Sequence, residues 1–250
     1  MIDALGIDIG GSGIKGAPVD LTTGEFVGER YRIPTPEKST PKNVAEVVGQ
    51  IAQHFSLPKG TPIGITVPAP IVHGVASWMA NLHNSWAGTN VNDLFSDVLG
   101  TAVSVVNDAD AAGYGEVEYG AAKGQSGTVL VTTLGTGIGS ALIINHQLVP
   151  NTELGHLVLP GGKEAEPWAS AAVKERKELT WEKWAGRLQV VYAEYEKLLN
   201  PDLIIVGGGI SKQADKFLPL ITTNAPLIPA QLRNSAGIIG AAALAAKDSN

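Results

Sequence analysis

Three glycine clusters each follow an apolar run: Gly10-Gly11-Ser12-Gly13 after ALGIDI, Gly135-Thr136-Gly137-Ile138-Gly139 after TVLVTTL, and Gly207-Gly208-Gly209 after LIIV. Glycine at a strand end lets backbone N–H groups approach a phosphate, because no Cβ stands in the way. One such cluster is equally well a tight hairpin turn; three at strand ends favour phosphate binding. A second group of interest, Asn107-Asp108-Ala109-Asp110, follows the apolar run TAVSVV. Any of its three polar side chains can cap a helix, and one carboxylate there can also accept a proton as a general base. Taken alone, the cap is the better reading.

The familiar phosphate and nucleophile motifs are absent. No Gly-x4-Gly-Lys-Ser/Thr string occurs. The spacing of Gly135 to Gly139 differs from the dinucleotide fingerprint and leads into a strand-like run, not a helix, and Gly-x-Ser-x-Gly does not occur. What remains is a phosphate-binding hairpin in each half of the chain.

The elements that must hold these groups read as an alternating α/β pattern. Strands are expected at 4–9, 14–20, 25–33, 62–67 and 101–106, then at 128–134, 140–144, 147–149 and 203–206. A helix begins at Pro41 with Thr40 as N-cap, carrying Val44, Val47, Val48, Ile51, Ala52 and Phe55 on one face. Further helices are expected over 109–119, 180–199 and 236–247, the last rich in alanine. Strand, glycine turn and strand occur at Asp8 and again at Thr133, an offset of 133 − 8 = 125, half of the 250 residues. Such repetition predicts two similar α/β lobes with a cleft between them, 1–108 and 109–250, the closing helix packing back on the first.

Composition bounds the function. The chain has 44% apolar residues, enough for a sizeable core, and no apolar run reaches the ~18 residues a membrane span needs. It has no cysteine, which excludes disulfides, thiol nucleophiles and thiolate metal sites. A net charge of −6 argues against non-specific nucleic-acid binding. The chain opens almost directly into a strand, so a cytoplasmic location is expected.

LGIDIGGSGIKG (5–16), LGTGIGSAL (134–142), ELGH (153–156) and VGGGIS (206–211) resemble the motifs of the ROK family of sugar kinases and repressors. IDIGGSGIKGAPVDLTTG (7–24), NDADAAG (107–113), PNTELGH (150–156) and GGKEAE (161–166) resemble its polyphosphate-using branch, and the resemblance runs through 3–246. It implies the two-lobed actin-like ATPase (ribonuclease H-like) fold. It implies transfer of a phosphoryl group from inorganic polyphosphate or ATP to the 6-hydroxyl of glucose, with mannose as a further acceptor. An ATP-only hexokinase of the same family is the alternative. A repressor would need a DNA-binding winged helix before the first motif, whereas seven residues precede Asp8.

The resemblance also implies roles. Asp108 is the catalytic base, and it contacts the sugar together with Asn107, Glu153, His156, Glu166 and Asn81; Glu164 is able to exchange roles with Glu166. Asp8, Gly10, Gly11, Ser12, Gly13 and Lys15 form the first phosphate hairpin, and Gly135, Thr136 and Gly137 the second. Gly207, Gly208 and Gly209 resemble the adenosine region. Mg²⁺ accompanies the donor phosphate, with Asp8 orienting it through water. Most members are similar to one another in a zinc site joining the motif histidine to a Cys-rich cluster. Here Glu166 follows His156 by ten residues and no cysteine exists, so zinc is not expected. Val67-Pro68-Ala69-Pro70 also stands where members often carry a Pro-Gly turn. No nucleic-acid or membrane partner is implied; a homodimer is. A polyanionic donor calls for a basic track, for which Lys123, Lys174, Arg176, Lys177, Lys183 and Arg187 are candidates.

Overall fold

A computed structural model of the chain describes residues 2–77 and 82–249. It divides into two units: Met1–Gly115 with Ser235–Asn250, and Glu116–Asn234.

In the first unit β1 (Ala4–Ile9) runs antiparallel to β2 (Ile14–Asp20), with Asp8 opposite Lys15 and Ile9 opposite Ile14. β2 also pairs with β3 (Glu25–Phe26) and β4 (Tyr31–Ile33). The single strand expected over 25–33 is thus two short ones, because Gly28 lies between them at φ +92° and turns the backbone out of the ladder. Helix α1 (Pro41–His54) starts as its sequence requires, the Thr40 side chain accepting the N–H of Asn43 at 3.4 Å. Its Val44, Val47, Val48 and Ile51 are buried. β5 (Ile63–Val67) lies parallel to β1, and β6 (Ile71–Val72) and β7 (Val75–Ala76) make a small hairpin. Helix α2 (Val91–Leu99), unanticipated, buries only Val91 and Phe95, too short an apolar stripe to announce itself. β8 (Ser104–Asn107) lies parallel to β5 and leads directly into α3 (Asp108–Glu118). The sheet order is β3-β2-β1-β5-β8.

The second unit repeats the plan. β9 (Thr128–Leu134) and β10 (Ile138–Ile144) form an antiparallel hairpin, and β11 (Gln147–Val149) follows through Asn145 and His146, both at positive φ. β10 begins at Ile138, inside the glycine run, two residues before the expected start. β12 (Val158–Leu159), β13 (Lys163–Glu164), α4 (Ala165–Ala169) and α5 (Ala171–Arg176) come next, all unanticipated because each is under seven residues. Helix α6 (Trp181–Leu199), capped by Thr180, buries Trp184, Leu188, Val191, Tyr192 and Tyr195. β14 (Leu203–Gly207) runs parallel to β9 and β15 (Leu227–Pro229) parallel to β14, giving the order β11-β10-β9-β14-β15.

Helix α7 (Ala236–Asp248) returns to the first unit and packs on β1 and β5. The approach is backbone to backbone: a Cβ at Gly6 would run into the carbonyl of Ile238, and one at Gly64 into that of Ala241.

Candidate active site

In the first unit the candidates collect at the carboxyl ends of the parallel strands β1, β5 and β8. Cross-strand partners share a sheet face, so the register sets Arg32, Lys15, Asp8 and Thr66 in one row across β4, β2, β1 and β5. Thr66 donates its hydroxyl hydrogen to Asp8 Oδ1 at 2.9 Å, and Lys15 Nζ lies 3.6 Å from Asp8 Oδ2. Asp8 and Lys15 are each about one quarter exposed, 24% and 26%, so the pair is open to a ligand. Beside it the first glycine turn closes with the N–H of Gly10 donating to the carbonyl of Gly13 at 3.2 Å, leaving Gly11 and Ser12 exposed at its tip. Arg32 braces this turn: its guanidinium donates to the carbonyl of Ser12 at 2.7 Å and lies where a Cβ on residue 13 would be. Neither Arg32 nor Thr66 was expected here. No local motif marks them, and only the strand register puts them beside Asp8 and Lys15.

Asn107 and Asp108 sit where β8 becomes α3. Asn107 Oδ1 accepts the N–H groups of Ala109 at 2.8 Å and Asp110 at 3.1 Å, which makes Asn107 the cap. Of the three polar side chains able to cap there, Asp110 is buried inside the first turn, and its N–H donates to the cap. Asp108 is exposed, with Oδ1 accepting the N–H of Ala109 at 2.8 Å. Asn81 lies outside the described residues.

In the second unit Glu153, His156, Glu164 and Glu166 form one cluster. The turn Leu154–His156 is pinned from two sides: Leu154 N–H donates to Ser140 Oγ on β10 at 3.0 Å, and the Tyr195 hydroxyl on α6 donates to the Leu154 carbonyl at 2.9 Å. His156 Nδ1 is hydrogen-bonded to Glu164 Oε1, and its Nε2 lies 3.9 Å from Glu153 Oε2. The hydrogen bond to Glu164 raises the pKa of the imidazole, with Glu166 and Glu153 adding to it against some desolvation. Burial raises that of Glu153, opposed by His156 and reinforced by Glu166. Glu166 is held differently: its Oε2 accepts the N–H of Ile138 at 2.8 Å, and the carboxylate fills the space over Gly137 that a Cβ would need.

This ties the sugar candidates to the second glycine turn, where Gly135 N–H donates to the Gly137 carbonyl at 3.0 Å. The third cluster lies alongside, since Gly207 pairs with Thr133 of β9 and Gly208, at φ +82°, is pressed against the Leu134 backbone. Three of the other histidines have ordinary partners: His54 stacks on Tyr31, His83 bonds Ser85, and His146 meets Glu118.

Chemically, each unit offers glycine turns able to receive phosphate oxygens. The first adds an exposed carboxylate at Asp108 and a paired cation at Lys15. The second adds three carboxylates, which accept from hydroxyls, and an imidazole, which can donate to them.

The model of the ROK family matches residues 4–169. The polyphosphate glucokinase of Mycobacterium tuberculosis is 48% identical over 97% of this chain and 91% of its own length. The crystal structure of the inorganic polyphosphate/ATP-glucomannokinase from Arthrobacter sp. strain KM is 50% identical, covers 98% of both chains and superposes with a TM-score of 0.90. A ROK family glucokinase from Streptomyces griseus, solved with glucose and AMPPNP, shares the fold at 24% identity, over 98% of this chain and 99% of that one, with a TM-score of 0.82.

Proposed function

This chain belongs to the ROK family, and from that premise we propose that it is a glucokinase moving a phosphoryl group from inorganic polyphosphate or ATP to the 6-hydroxyl of glucose, with mannose as a further acceptor. The observation that carries the reading is the 50% identity, over 98% of both chains, to a kinase whose own name gives both donors and both sugars.

The roles follow from the chemistry of the groups. A sugar hydroxyl is a weak nucleophile, and the exposed carboxylate of Asp108 takes its proton as the new bond to phosphorus forms and the donor's terminal bridging oxygen departs. Glu153, His156 and Glu166 receive sugar hydroxyls, and Asn107 orders the turn that presents Asp108. The glycine turns at 10–13, 135–137 and 207–209 receive donor phosphates and the ATP nucleoside end, and Lys15 meets a phosphoryl oxygen.

Mg²⁺ fits this donor set. Asp8 is a single partly exposed carboxylate, and among the described residues no group of three or more His, Asp or Glu side chains converges as a metal cage. A cation that takes most of its ligands from phosphate and water suits such a site, with Asp8 holding it through water, and it supplies charge neutralisation on the transferring phosphate. Zinc plays no part in this reading, which rests there on the lack of thiolates. A homodimer follows from the family resemblance, and a cytoplasmic setting is part of the same proposal. No described helix is long and apolar enough to cross a membrane.

The test is direct. Purified protein is incubated with glucose or mannose and Mg²⁺, with long-chain polyphosphate and ATP in separate reactions, and sugar 6-phosphate is measured. Product from both donors is expected. Product from ATP alone would replace this reading with an ATP-only hexokinase, and none from either donor would end the kinase assignment.

A further inference from the structure

The turn carrying His156 is followed by a hairpin, and its register matters. Val158 on β12 pairs with Glu164 on β13, which folds Glu164 back over the turn and brings Oε1 onto His156 Nδ1. The other ring nitrogen, Nε2, lies 3.9 Å from Glu153 Oε2, too far for an N–H···O hydrogen bond. An oxygen set off that line reaches both atoms at about 2.8 Å. To satisfy both it must accept from Nε2–H and donate to the carboxylate. An alcohol does this; a carbonyl or phosphate oxygen has no hydrogen to give.

We propose that Glu164 is a positioning residue for sugar binding: it fixes the His156 ring through Nδ1 so that Nε2–H and Glu153 together grip one sugar hydroxyl. The proposal rests on the glucokinase reading for the identity of the sugar. It also separates Glu164 from Glu166, whose Oε2 is taken by the N–H of Ile138 against the second glycine turn. No proton changes hands in this role. Both ring nitrogens carry hydrogen only in the imidazolium form, and the groups facing the ring, Glu164 on β13, Glu153 before the turn and Glu166 on α4, all favour that form. Glu164 touches neither the sugar nor the donor; it acts through the ring, as an outer partner orients a ligating histidine.

The experiment uses Glu164→Ala, Glu164→Gln, His156→Ala and the double variant Glu164→Ala/His156→Ala. Glucose KM should rise about tenfold in Glu164→Ala, the size expected for losing a hydrogen bond to a charged group, with donor KM and kcat within about twofold of wild type. Glu164→Gln should recover most of the loss, because its amide oxygen still accepts from Nδ1–H. The double variant should bind glucose no more weakly than His156→Ala alone. ¹⁵N spectra of the imidazole should show Nδ1–H hydrogen-bonded in wild type and Glu164→Gln and lost in Glu164→Ala. Unchanged glucose KM in Glu164→Ala, or effects that multiply in the double variant, would overturn the proposal. Should wild type fail to phosphorylate glucose, the kinase reading falls, while the ring spectra still decide whether Glu164 fixes His156. His156 and Glu164 are 46% and 41% exposed, so the variants are expected to fold, and circular dichroism checks it.

Discussion

Asn107 closes the first turn of α3 onto Asp110: its Oδ1 takes the Asp110 N–H at 3.1 Å as well as that of Ala109 at 2.8 Å. Asp108 shares the Ala109 N–H, at 2.8 Å, and the bond that reaches the Asp110 N–H comes from Asn107.

Stability and catalysis should part accordingly. Asp108→Asn is expected to lower kcat by ~10²–10⁴-fold with either donor, since an amide cannot take the hydroxyl proton. Glucose affinity by calorimetry should be largely kept. Asn107→Ala should cost about 1 kcal/mol of unfolding free energy through the lost cap. An Asp108→Asn enzyme keeping more than a tenth of wild-type kcat would remove it from the role of base.

Lys15 is tied to Asp8 at 3.6 Å yet remains partly exposed, so it can meet a phosphate without leaving its partner. Lys15→Ala should raise KM for polyphosphate and for ATP alike, by about tenfold, the scale of one charge-assisted hydrogen bond. Glucose KM should stay put. A rise in glucose KM with donor KM unchanged would place Lys15 elsewhere in the reaction.

The raised pKa values of His156 and Glu153 give stability a definite slope with pH. Both groups hold protons more tightly folded than unfolded, so stability falls as pH rises through their native values. For His156 the contribution is whole below its usual 6.5 and is lost above its native value; for Glu153 the loss begins upward of 4.5. Glu164→Gln keeps the hydrogen bond to Nδ1 but removes the negative charge that also favours the imidazolium. Urea midpoints for wild type and Glu164→Gln should differ most at pH 5–6 and converge as pH approaches the alkaline range. A gap that widens with pH would contradict the assignment.

Two tryptophans in the second unit carry cations on their rings. Lys163 and Arg187 lie 5.2 and 5.6 Å from the Trp168 centroid, and Lys174 lies 3.9 Å from that of Trp181. Arg187 and Lys174 were among the basic residues expected to serve a polyanion; Lys163 joins them through Trp168. Polyphosphate KM should climb more steeply with ionic strength than ATP KM, because a longer anion releases more counterions on binding. Arg187→Ala and Lys163→Ala should flatten that slope. Equal slopes for the two donors in wild type would argue against a track.

The turns, the internal repeat and the capped start of α1 were legible because each is written in local residue types: glycine at strand ends, Thr40-Pro41 before an apolar stripe. Cross-strand relationships were not. Arg32 against Ser12 and Thr66 under Asp8 depend on ladder register, and Glu164 on His156 depends on a hairpin of two-residue strands with no periodicity to read. The strand expected over 25–33 failed for the opposite reason: its composition is strand-like, and one glycine at φ +92° overrides it.

Helix α7 has a consequence for how the chain is made. On the ribosome β1 and β5 emerge first, but the helix that covers them begins only at Ala236. Glu116–Asn234, uninterrupted in sequence, can complete its core while the earlier sheet still shows bare backbone at Gly6 and Gly64 to solvent. Vectorial synthesis thus delivers the helix that covers this sheet only after the whole of the second unit. Until α7 docks, β1 and β5 lack the cover that this helix gives them in the folded chain.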